Sequence, residues 1–451
     1  MSLVIVTSAW TQVETAQGQA PVVPSQQQSL LERLESAEEK IRELESDREE
    51  SDSEQSEPDW TSGYDDGFFI RPSDEDKNPF ELQVNGRMQF RHVGFSRNVT
   101  QWTDNAGMVR PVTNRNDFEI ERGRLEFSGF FLDPNLQFFI NIDADTDDGH
   151  SAIFHDFWVN YEFSEAFNLH FGKAFVPGSR EWFDGSTRTR FSDRSMGTTF
   201  FRPDRSVGIW ATGEPLENLF YRAMVGDGFR TNDLTPDDID TQFVYSGSMW
   251  KVVGDYGEGY SDLEWHCDPA ARFGQSFTFA GNDRLVPGRL PLAEGTLVRL
   301  SDGTRLTEHG ALAPGVTVDQ FDIQLYALDA ALKWRGFSLN GEYYFRWLKS
   351  IQGDGPLPVD QIFDHGYYAE MGYFVVPQRI ELNSRISEVF GQFGNAYEYA
   401  GGVNWFINGT HNCKMSFDVT RLVRNPANNS GPSLRVGDDG LLFRTQLQVA
   451  F

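Results

Sequence analysis

From residue 80 to its last residue, the chain repeatedly alternates apolar and polar residues. The stretches ELQVNGRMQF (81–90), FSLNGEYYFRWL (337–348) and YEYAGGVNWFI (397–407) are the clearest examples. Successive side chains of a β-strand point to opposite faces, so each stretch predicts a strand with one apolar and one polar face. No apolar run approaches the twenty or so residues that a membrane-spanning helix needs, which excludes ordinary transmembrane helices.

The predicted strands come in pairs, with short turns inside the pairs and longer polar segments between them. Short turns are expected at 133–135, 333–336 and 377–378. The longer segments are 97–116, 177–204, 227–240, 282–318, 350–364 and 425–439. Short turns at one end of the strands and long loops at the other are typical of outer-membrane β-barrels.

The composition also favours a membrane barrel. Only 39% of the residues are hydrophobic, yet the chain contains 38 Phe, 14 Tyr and 11 Trp. Aromatic residues suit half-buried strands, and Tyr and Trp favour membrane interfaces. A soluble β-sandwich or two-domain jelly roll is the alternative, but long strands that continue to the last residue fit a barrel better. The predicted fold class is all-β, a transmembrane antiparallel β-barrel of about 16 strands over 80–451.

The final residues, LLFRTQLQVAF, continue the alternation to the end of the chain. A membrane barrel must close, because an unpaired strand edge in hydrocarbon leaves backbone groups unsatisfied. The last strand is therefore expected to pair with the first. The terminal pattern also resembles the signal by which outer-membrane barrels reach the barrel-assembly machinery, and its residues are Phe443, Leu447, Val449 and Phe451.

Residues 1–79 differ from the rest and carry nineteen acidic against six basic residues. The apolar run LVIVTSAW (3–10) predicts an export signal segment over 1–20, although no positive charge precedes it. A spacer and a short coiled-coil helix are predicted over 21–50, and an acidic linker over 51–79. The heptad spacing 4-3-4-3 defines the seam residues of this helix, Leu30, Leu34, Ala37, Ile41 and Leu44. A lone solvated acidic helix is the alternative.

Charge and side-chain inventory argue against several functions. A net charge of −28 argues against nucleic acid as a partner. Cys267 and Cys413 suit neither a disulfide scaffold nor a zinc site, and either two free thiols or one disulfide is compatible with the sequence. No nucleophile elbow or phosphate loop is present, so the chain is not predicted to be an enzyme or to hold a cofactor.

One group of residues has the composition of a metal site. His150, His155 and Asp156 lie near four aspartates, which are Asp143, Asp145, Asp147 and Asp148. Imidazole and carboxylate groups bind divalent cations. A solvated acidic patch is the commoner reading of such a loop, so no metal is predicted.

The stretch FGKAFVPGSREWFDGSTRTRFSDRSMGTTFFRPDRSVGIWATG (171–213) resembles the phosphate-selective porin O and P family. The stretches IERGRLEFSG (120–129), WRGFSLNGEYYFR (334–346) and GYYAEMGYFVVPQRIELNSRIS (366–387) are similar to other strands of that family. The resemblance implies a homotrimer of sixteen-stranded barrels in the outer membrane of a Gram-negative-type envelope. It also implies a loop that folds inward to narrow each pore, here about 177–204.

This loop and the polar faces of nearby strands concentrate arginine. Residues 177–205 carry a net charge of +2 within a chain of −28, and strand parity places four more arginines opposite apolar faces. Guanidinium groups stay charged and bind oxyanions bidentately. The predicted pore-lining, anion-binding residues are Arg87, Arg91, Arg122, Arg124, Lys173, Arg180, Arg188, Arg190, Arg194, Arg202 and Arg205.

The predicted function is an outer-membrane porin that passes small hydrophilic solutes with a preference for anions. Phosphate-selective members of the family have a lysine cluster at the constriction, whereas only Lys173 lies near the loop here. Passage of small anions or general solutes is therefore better supported than phosphate specificity. The alternative is a structural barrel that tethers the envelope to the cell wall through its N-terminal helix.

Overall fold

The computed structural model describes residues 36–37, 39–42, 60–73, 79–146, 152–231, 234–282, 294–428 and 434–451. The chain forms two units, Met1–Asp59 and Trp60–Phe451. In the first unit, residues 36–37 and 39–42 are helical and exposed, which includes Ala37 and Ile41. The other predicted seam residues and the predicted signal segment lie outside the described residues. No helix in the described part of the chain is long and apolar enough to cross a membrane.

The second unit is built mainly of strands. The first ten are β1 (Trp60–Tyr64), β2 (Phe68–Pro72), β3 (Phe80–Arg97), β4 (Gln101–Thr103), β5 (Val109–Pro111), β6 (Arg115–Phe131), β7 (Asp133–Ala144), β8 (Ala152–Ser164), β9 (Phe167–Phe175) and β10 (Arg205–Leu216). The next ten are β11 (Leu219–Gly226), β12 (Val244–Val253), β13 (Ala270–Asn282), β14 (Val318–Trp334), β15 (Phe337–Gly353), β16 (Ile362–Val376), β17 (Ile380–Gly391), β18 (Gly394–Phe406), β19 (Cys413–Val423) and β20 (Gly440–Ala450). Two short α-helices are α1 (Arg180–Phe183) and α2 (Met196–Phe201), and two 3-10 turns are Pro236–Asp238 and Glu294–Leu297.

Sixteen strands, β3 and β6–β20, form a closed antiparallel ring. Each pairs with its neighbours along the chain, and β20 pairs with β3 from Gly440↔Arg97 to Ala450↔Arg87. The predicted all-β barrel of about 16 strands is confirmed.

Exposure alternates along the barrel strands in the sense expected for a membrane barrel. On β18, Tyr399 and Trp405 are exposed, whereas Glu398 and Asn404 are buried. A soluble β-sandwich would bury the aromatic face and expose the polar face, so this pattern excludes that alternative. The terminal residues Phe443, Leu447, Val449 and Phe451 are all exposed on the outer face.

The two ends of the barrel differ in their connections. At the turn end, β6 and β7 join through residue 132, and β14 and β15 join through 335–336. The loop end carries the long connections, including 176–204 and the described residues 294–317 that precede β14. Short turns face the periplasm in outer-membrane barrels and long loops face outward. One turn-end connection, 254–269, is an exception, because it is long and folds into the barrel.

Residues 60–72 correct the predicted linker 51–79. They form a β-hairpin of β1 and β2, and β2 pairs with β3. Each strand has only five residues, too few for an alternation that stands out from the acidic residues around it. Pairing with a distant strand, which is a tertiary interaction, determines the conformation of this segment.

Both cysteines, Cys267 and Cys413, are free thiols.

Candidate pore constriction

The connection between β9 and β10 lies inside the barrel, and we refer to residues 176–204 as the inner loop. It contains α1 and α2, each with a serine N-cap. The Ser179 side chain accepts a hydrogen bond from the Trp182 N–H, and the Ser195 side chain accepts one from the Thr198 N–H. Such caps satisfy backbone donors that a short helix leaves unpaired.

Inward-facing acceptors of the barrel wall satisfy further N–H groups of these helices. Glu342 on β15 accepts from the N–H groups of Arg180 (2.9 Å) and Glu181 (3.2 Å) at α1. At α2, Glu398 on β18 accepts from the Met196 N–H at 2.6 Å, and Ser387 accepts from the Gly197 N–H at 2.9 Å. The wall of β15–β18 therefore holds both helices in place.

Two arginines of the inner loop bind this same wall. The Arg190 guanidinium is fully buried, with Nη1 3.5 Å from Glu370 and Nε 3.4 Å from Glu381. It also donates to the Ser338 hydroxyl at 2.6 Å. Arg180 donates to Asn340 at 3.3 Å and lies 3.8 Å from a carboxylate of β14. Both side chains act as anchors between the loop and the wall.

Arg194 and Arg202 stabilise the loop itself. Arg194 donates to the backbone carbonyls of Glu181 (2.8 Å), Trp182 (3.2 Å) and Asp184 (3.0 Å). Burial lowers the pKa of this loop guanidinium to about 9, which leaves it charged at neutral pH. Arg202 pairs with Asp204 at 2.5 Å and stacks on the Trp182 ring. Neither guanidinium resembles a free pore-lining group.

Asp193 ties the inner loop to the opposite wall. Its carboxylate lies 3.5 Å from Arg91 on β3 and 3.6 Å from Arg122 on β6. Burial raises the pKa of this loop carboxyl, but Arg91 and Arg122 outweigh burial and hold its pKa below the ordinary value. Asp193 therefore stays ionised and compensates the two wall arginines.

The wall of β3–β11 carries the other predicted arginines on its inner face. Arg87 pairs with Glu126 at 2.9 Å. Arg124 pairs with an aspartate of β7 at 2.7 Å, and Arg205 pairs with an aspartate of β8 at 2.8 Å. Strand parity thus places Arg87, Arg91, Arg122 and Arg124 inward, as the sequence predicts, but each lies beside a carboxylate.

Lys173 and Arg188 differ from the other predicted residues in their position. Lys173 lies on the outer face of β9, paired across strands with the exposed residues Val207 and Phe157, so its predicted place at the pore is wrong. The neighbouring inward positions are the small residues Gly172 and Ala174, which hide the strand parity in the sequence. Arg188 is 41% exposed and pairs with Glu258 at the turn end.

Arg222 on β11 is an inward-facing arginine that the sequence did not single out. Its guanidinium lies 4.6 Å from the ring centroid of Phe183 and 5.1 Å from that of Trp210. It forms no ion pair and no side-chain hydrogen bond with the described residues, although its Nε is buried. The inward positions on either side of it are Phe220 and Met224, so β11 lacks the polar face that would have revealed it.

The acidic and histidine candidate group includes Asp147, Asp148 and His150, which lie outside the described residues, and its described members form no metal-site cluster. Asp143 and Asp156 pair with Arg124 and Arg205, and the closest approach of His155 to Asp143 is 4.0 Å. A second group, Asp262, Glu264 and His266, lies in the segment 254–269. Its members are engaged by protein groups, since Asp262 accepts from a backbone N–H at 2.6 Å and Glu264 pairs with a lysine at 3.2 Å.

The segment 254–269 supports the inner loop from the turn end. The Tyr256 hydroxyl accepts from Arg180 at 3.1 Å, and the Tyr260 carbonyl accepts from Arg190 at 2.7 Å. Ser261 donates to Glu381 at 2.8 Å. Two segments from opposite ends of the barrel therefore meet in its interior and occupy part of its cross-section.

Cavities lie at both ends of the barrel. The one at the loop end has a volume of about 510 Å³ and is lined in part by Trp102, Asp302 and Arg424. The one at the turn end has a volume of about 390 Å³ and is lined in part by Arg87 and Arg188. A closed barrel with a polar interior and a loop folded inward is the architecture of a diffusion channel.

The family model of phosphate-selective porin O and P matches residues 99–451, which is most of the chain. This chain belongs to that family. It is therefore a porin of the outer membrane, and its barrel is a channel for small solutes. Comparison with curated protein sequences gives no match.

Solved structures share the barrel fold of this porin. The anion-selective porin from Comamonas acidovorans has a TM-score of 0.52 at 12% identity, covering 82% of this chain and 100% of that chain. Salmonella typhi OmpF, solved with daunomycin, has a TM-score of 0.51 at 12% identity, covering 87% of this chain and 100% of that chain. Pseudomonas putida OprB has a TM-score of 0.51 at 9% identity, covering 83% of this chain and 95% of that chain. At these identities the likeness concerns the fold alone.

Proposed function

We propose that this porin prefers small anions, and that the inner loop forms its constriction. The observation that carries the proposal is Arg222. Its guanidinium is buried in the barrel interior against Phe183 of α1 and forms no ion pair with the described residues, so it adds a positive potential inside the barrel next to the inner loop. The paired arginines of β3–β10 contribute less, because a neighbouring carboxylate offsets each charge.

The acidic residues on the inner face of β15–β18 are not expected to counter this anion preference. Glu342 accepts from helix N–H groups, and Glu370 and Glu381 face Arg190. Glu398 pairs with Arg385 at 2.6 Å. Each of these carboxylates lies beside a guanidinium or accepts from helix N–H groups, whereas Arg222 forms no ion pair with the described residues. Distant exposed charges are screened beyond roughly 10 Å at ordinary salt.

The preference is tested by the reversal potential of single channels in a potassium chloride gradient. The wild-type porin is expected to favour chloride, and Arg222→Gln is expected to lower the chloride-to-potassium permeability ratio severalfold. Lys173→Gln is the matched control, because it removes one positive charge from the outer face and should leave the ratio unchanged. A wild-type channel that favours potassium would contradict the proposal.

We infer small anions as a class rather than phosphate in particular. The chain has only five lysines after residue 80. Lys173 lies on the outer face, and Lys414 on β19 is held by the Thr187 and Thr189 carbonyls of the inner loop at 3.3 and 2.8 Å, so no lysine cluster forms at the constriction among the described residues. Arginine binds carboxylates and other oxyanions as well as phosphate. A barrel that only tethers the envelope is not favoured, because the family and the fold are those of channels.

We propose a homotrimer strengthened by the helix over 29–50. A Vibrio cholerae OmpT structure in a trimer form shares the barrel fold, with a TM-score of 0.50 at 10% identity over 82% of this chain and 99% of that chain. Leu34→Asp with Ile41→Asp is expected to weaken the trimer without abolishing it, because so short a seam is marginal alone. Native mass spectrometry in mild detergent measures this, with Ser36→Asp and Glu43→Asp as an off-seam control. A wild-type monomer would contradict it.

A further inference from the structure

The first barrel strand extends beyond the end of the last one. Strand β20 follows β3 down to Ala450↔Arg87, and Phe451 exchanges both backbone hydrogen bonds with Gly86 at 2.9 and 3.0 Å. Strand β3, however, begins at Phe80, and its residues 80–85 still pair with β6 on the other edge. Without another partner, this part of β3 would expose unpaired backbone groups at the membrane boundary.

The hairpin of β1 and β2 occupies this free edge. Strand β2 pairs with the part of β3 that β20 leaves unpaired, with the partners Phe68↔Val84, Phe69↔Gln83 and Ile70↔Leu82. The Gln83 side chain donates to the Asp65 carbonyl at 3.1 Å, which fixes the hairpin turn next to β3. The N-terminal hairpin thus takes the position along β3 that a longer β20 would have taken.

One face of the hairpin continues the apolar outer surface of the barrel. Trp60, Tyr64, Phe68 and Ile70 share this face and are all exposed. The Phe68 ring lies 5.6 Å from that of Phe451, and the Trp60 ring lies 5.7 Å from that of β3 residue Phe80. Exposed Trp and Tyr at the end of barrel strands are typical of the aromatic girdle at the lipid interface.

We propose that residues 60–72 are a clasp that completes the barrel wall at the periplasmic lipid interface. The hairpin seals the seam between the first and last barrel strands, and its partner is the interfacial layer of the membrane. The clasp packs against Phe451, the residue that directly follows β20, through the Phe68 ring. This role is independent of the ion selectivity of the channel.

Disulfide trapping tests the docking in the full chain. In a Cys267→Ser, Cys413→Ser background, Ile70→Cys with Leu82→Cys joins register partners and is expected to cross-link in the outer membrane. Phe69→Cys with Leu82→Cys places the two thiols on opposite faces and is the control that should not cross-link. Absence of the first cross-link, or equal yields for both pairs, would overturn the proposal.

Stability and lipid contact test the role of the clasp. Phe68→Ala is expected to lower by several degrees the temperature at which the folded barrel converts to the unfolded form on gels. Phe273→Ala is the matched control, because Phe273 is 56% exposed and Phe68 55%, and Phe273 lies on the outer face away from the seam. A fluorophore on Phe68→Cys in the same cysteine-free background should be quenched by brominated lipids. Equal thermal shifts or an unquenched label would overturn the proposal.

Discussion

Replacing Arg190 with methionine is expected to release the inner loop from the barrel wall and to raise single-channel conductance severalfold. Arg190 is fully buried and faces Glu370 and Glu381, while it also donates to Ser338 and to the Tyr260 carbonyl. Removing the guanidinium leaves the buried carboxylate of Glu381 without an ion-pair partner, while Glu370 keeps only the more distant Arg385 at 3.9 Å. Breaking a buried ion pair in this way costs about 3–5 kcal/mol.

Loss of this ion pair is expected to destabilise the attachment of the inner loop to the wall and to leave the barrel itself folded. The sixteen-stranded ring is held by its own backbone ladder, so the variant is expected to fold while the inner loop samples positions away from β16 and β17. Conductance and its noise in planar bilayers measure the effect. Detachment of the inner loop should raise both the conductance and its noise, because the loop then occupies less of the cross-section of the barrel.

Arg188→Met is the control for the Arg190 variant. Arg188 is in the same loop, but its pair with Glu258 is largely solvated. Exposed ion pairs are worth about 0–1 kcal/mol, so conductance should change little. A wild-type conductance for Arg190→Met would show that the pair does not hold the loop.

Deleting Phe451 is expected to reduce strongly the amount of folded barrel that reaches the outer membrane. Phe451 contributes two backbone hydrogen bonds to Gly86, and its ring covers that glycine so closely that a Cβ at residue 86 would lie 2.3 Å from it. The ring also contacts Phe68. Together these contacts are worth about 2–4 kcal/mol at the point where the barrel closes.

The deletion is compared with Phe451→Tyr, which keeps the backbone bonds and the aromatic ring. The tyrosine variant should insert at close to the wild-type level, whereas the deletion should accumulate unfolded. Pulse-chase measurement of the folded form gives both the rate and the yield. Normal insertion of the deleted chain would show that the terminal residue is dispensable. That the barrel-assembly machinery reads Phe443, Leu447, Val449 and Phe451 remains a proposal.

The barrel was predictable because its strands cross a membrane with one face in lipid and one in a polar lumen. Each strand therefore carries its own alternation, independent of its partners, and the strand number and closure follow from it. The same parity correctly placed Arg87, Arg91, Arg122 and Arg124 on the inner face. Where small or apolar residues occupy inward positions, as beside Lys173 and Arg222, the parity was hidden.

The sequence by itself therefore determined the barrel, its number of strands and the inward side of most arginines, because periodicity is a local property of each strand. Only the tertiary structure decided which charges remain free. The inner loop is rich in arginine, yet Arg180 and Arg190 bind amide, hydroxyl and carboxylate groups on strands that lie far away in the chain. Whether a cation faces a solute or a carboxylate depends on the groups that folding brings beside it. The position of β1 and β2 depends likewise on an edge of β3 that exists only when the barrel has closed.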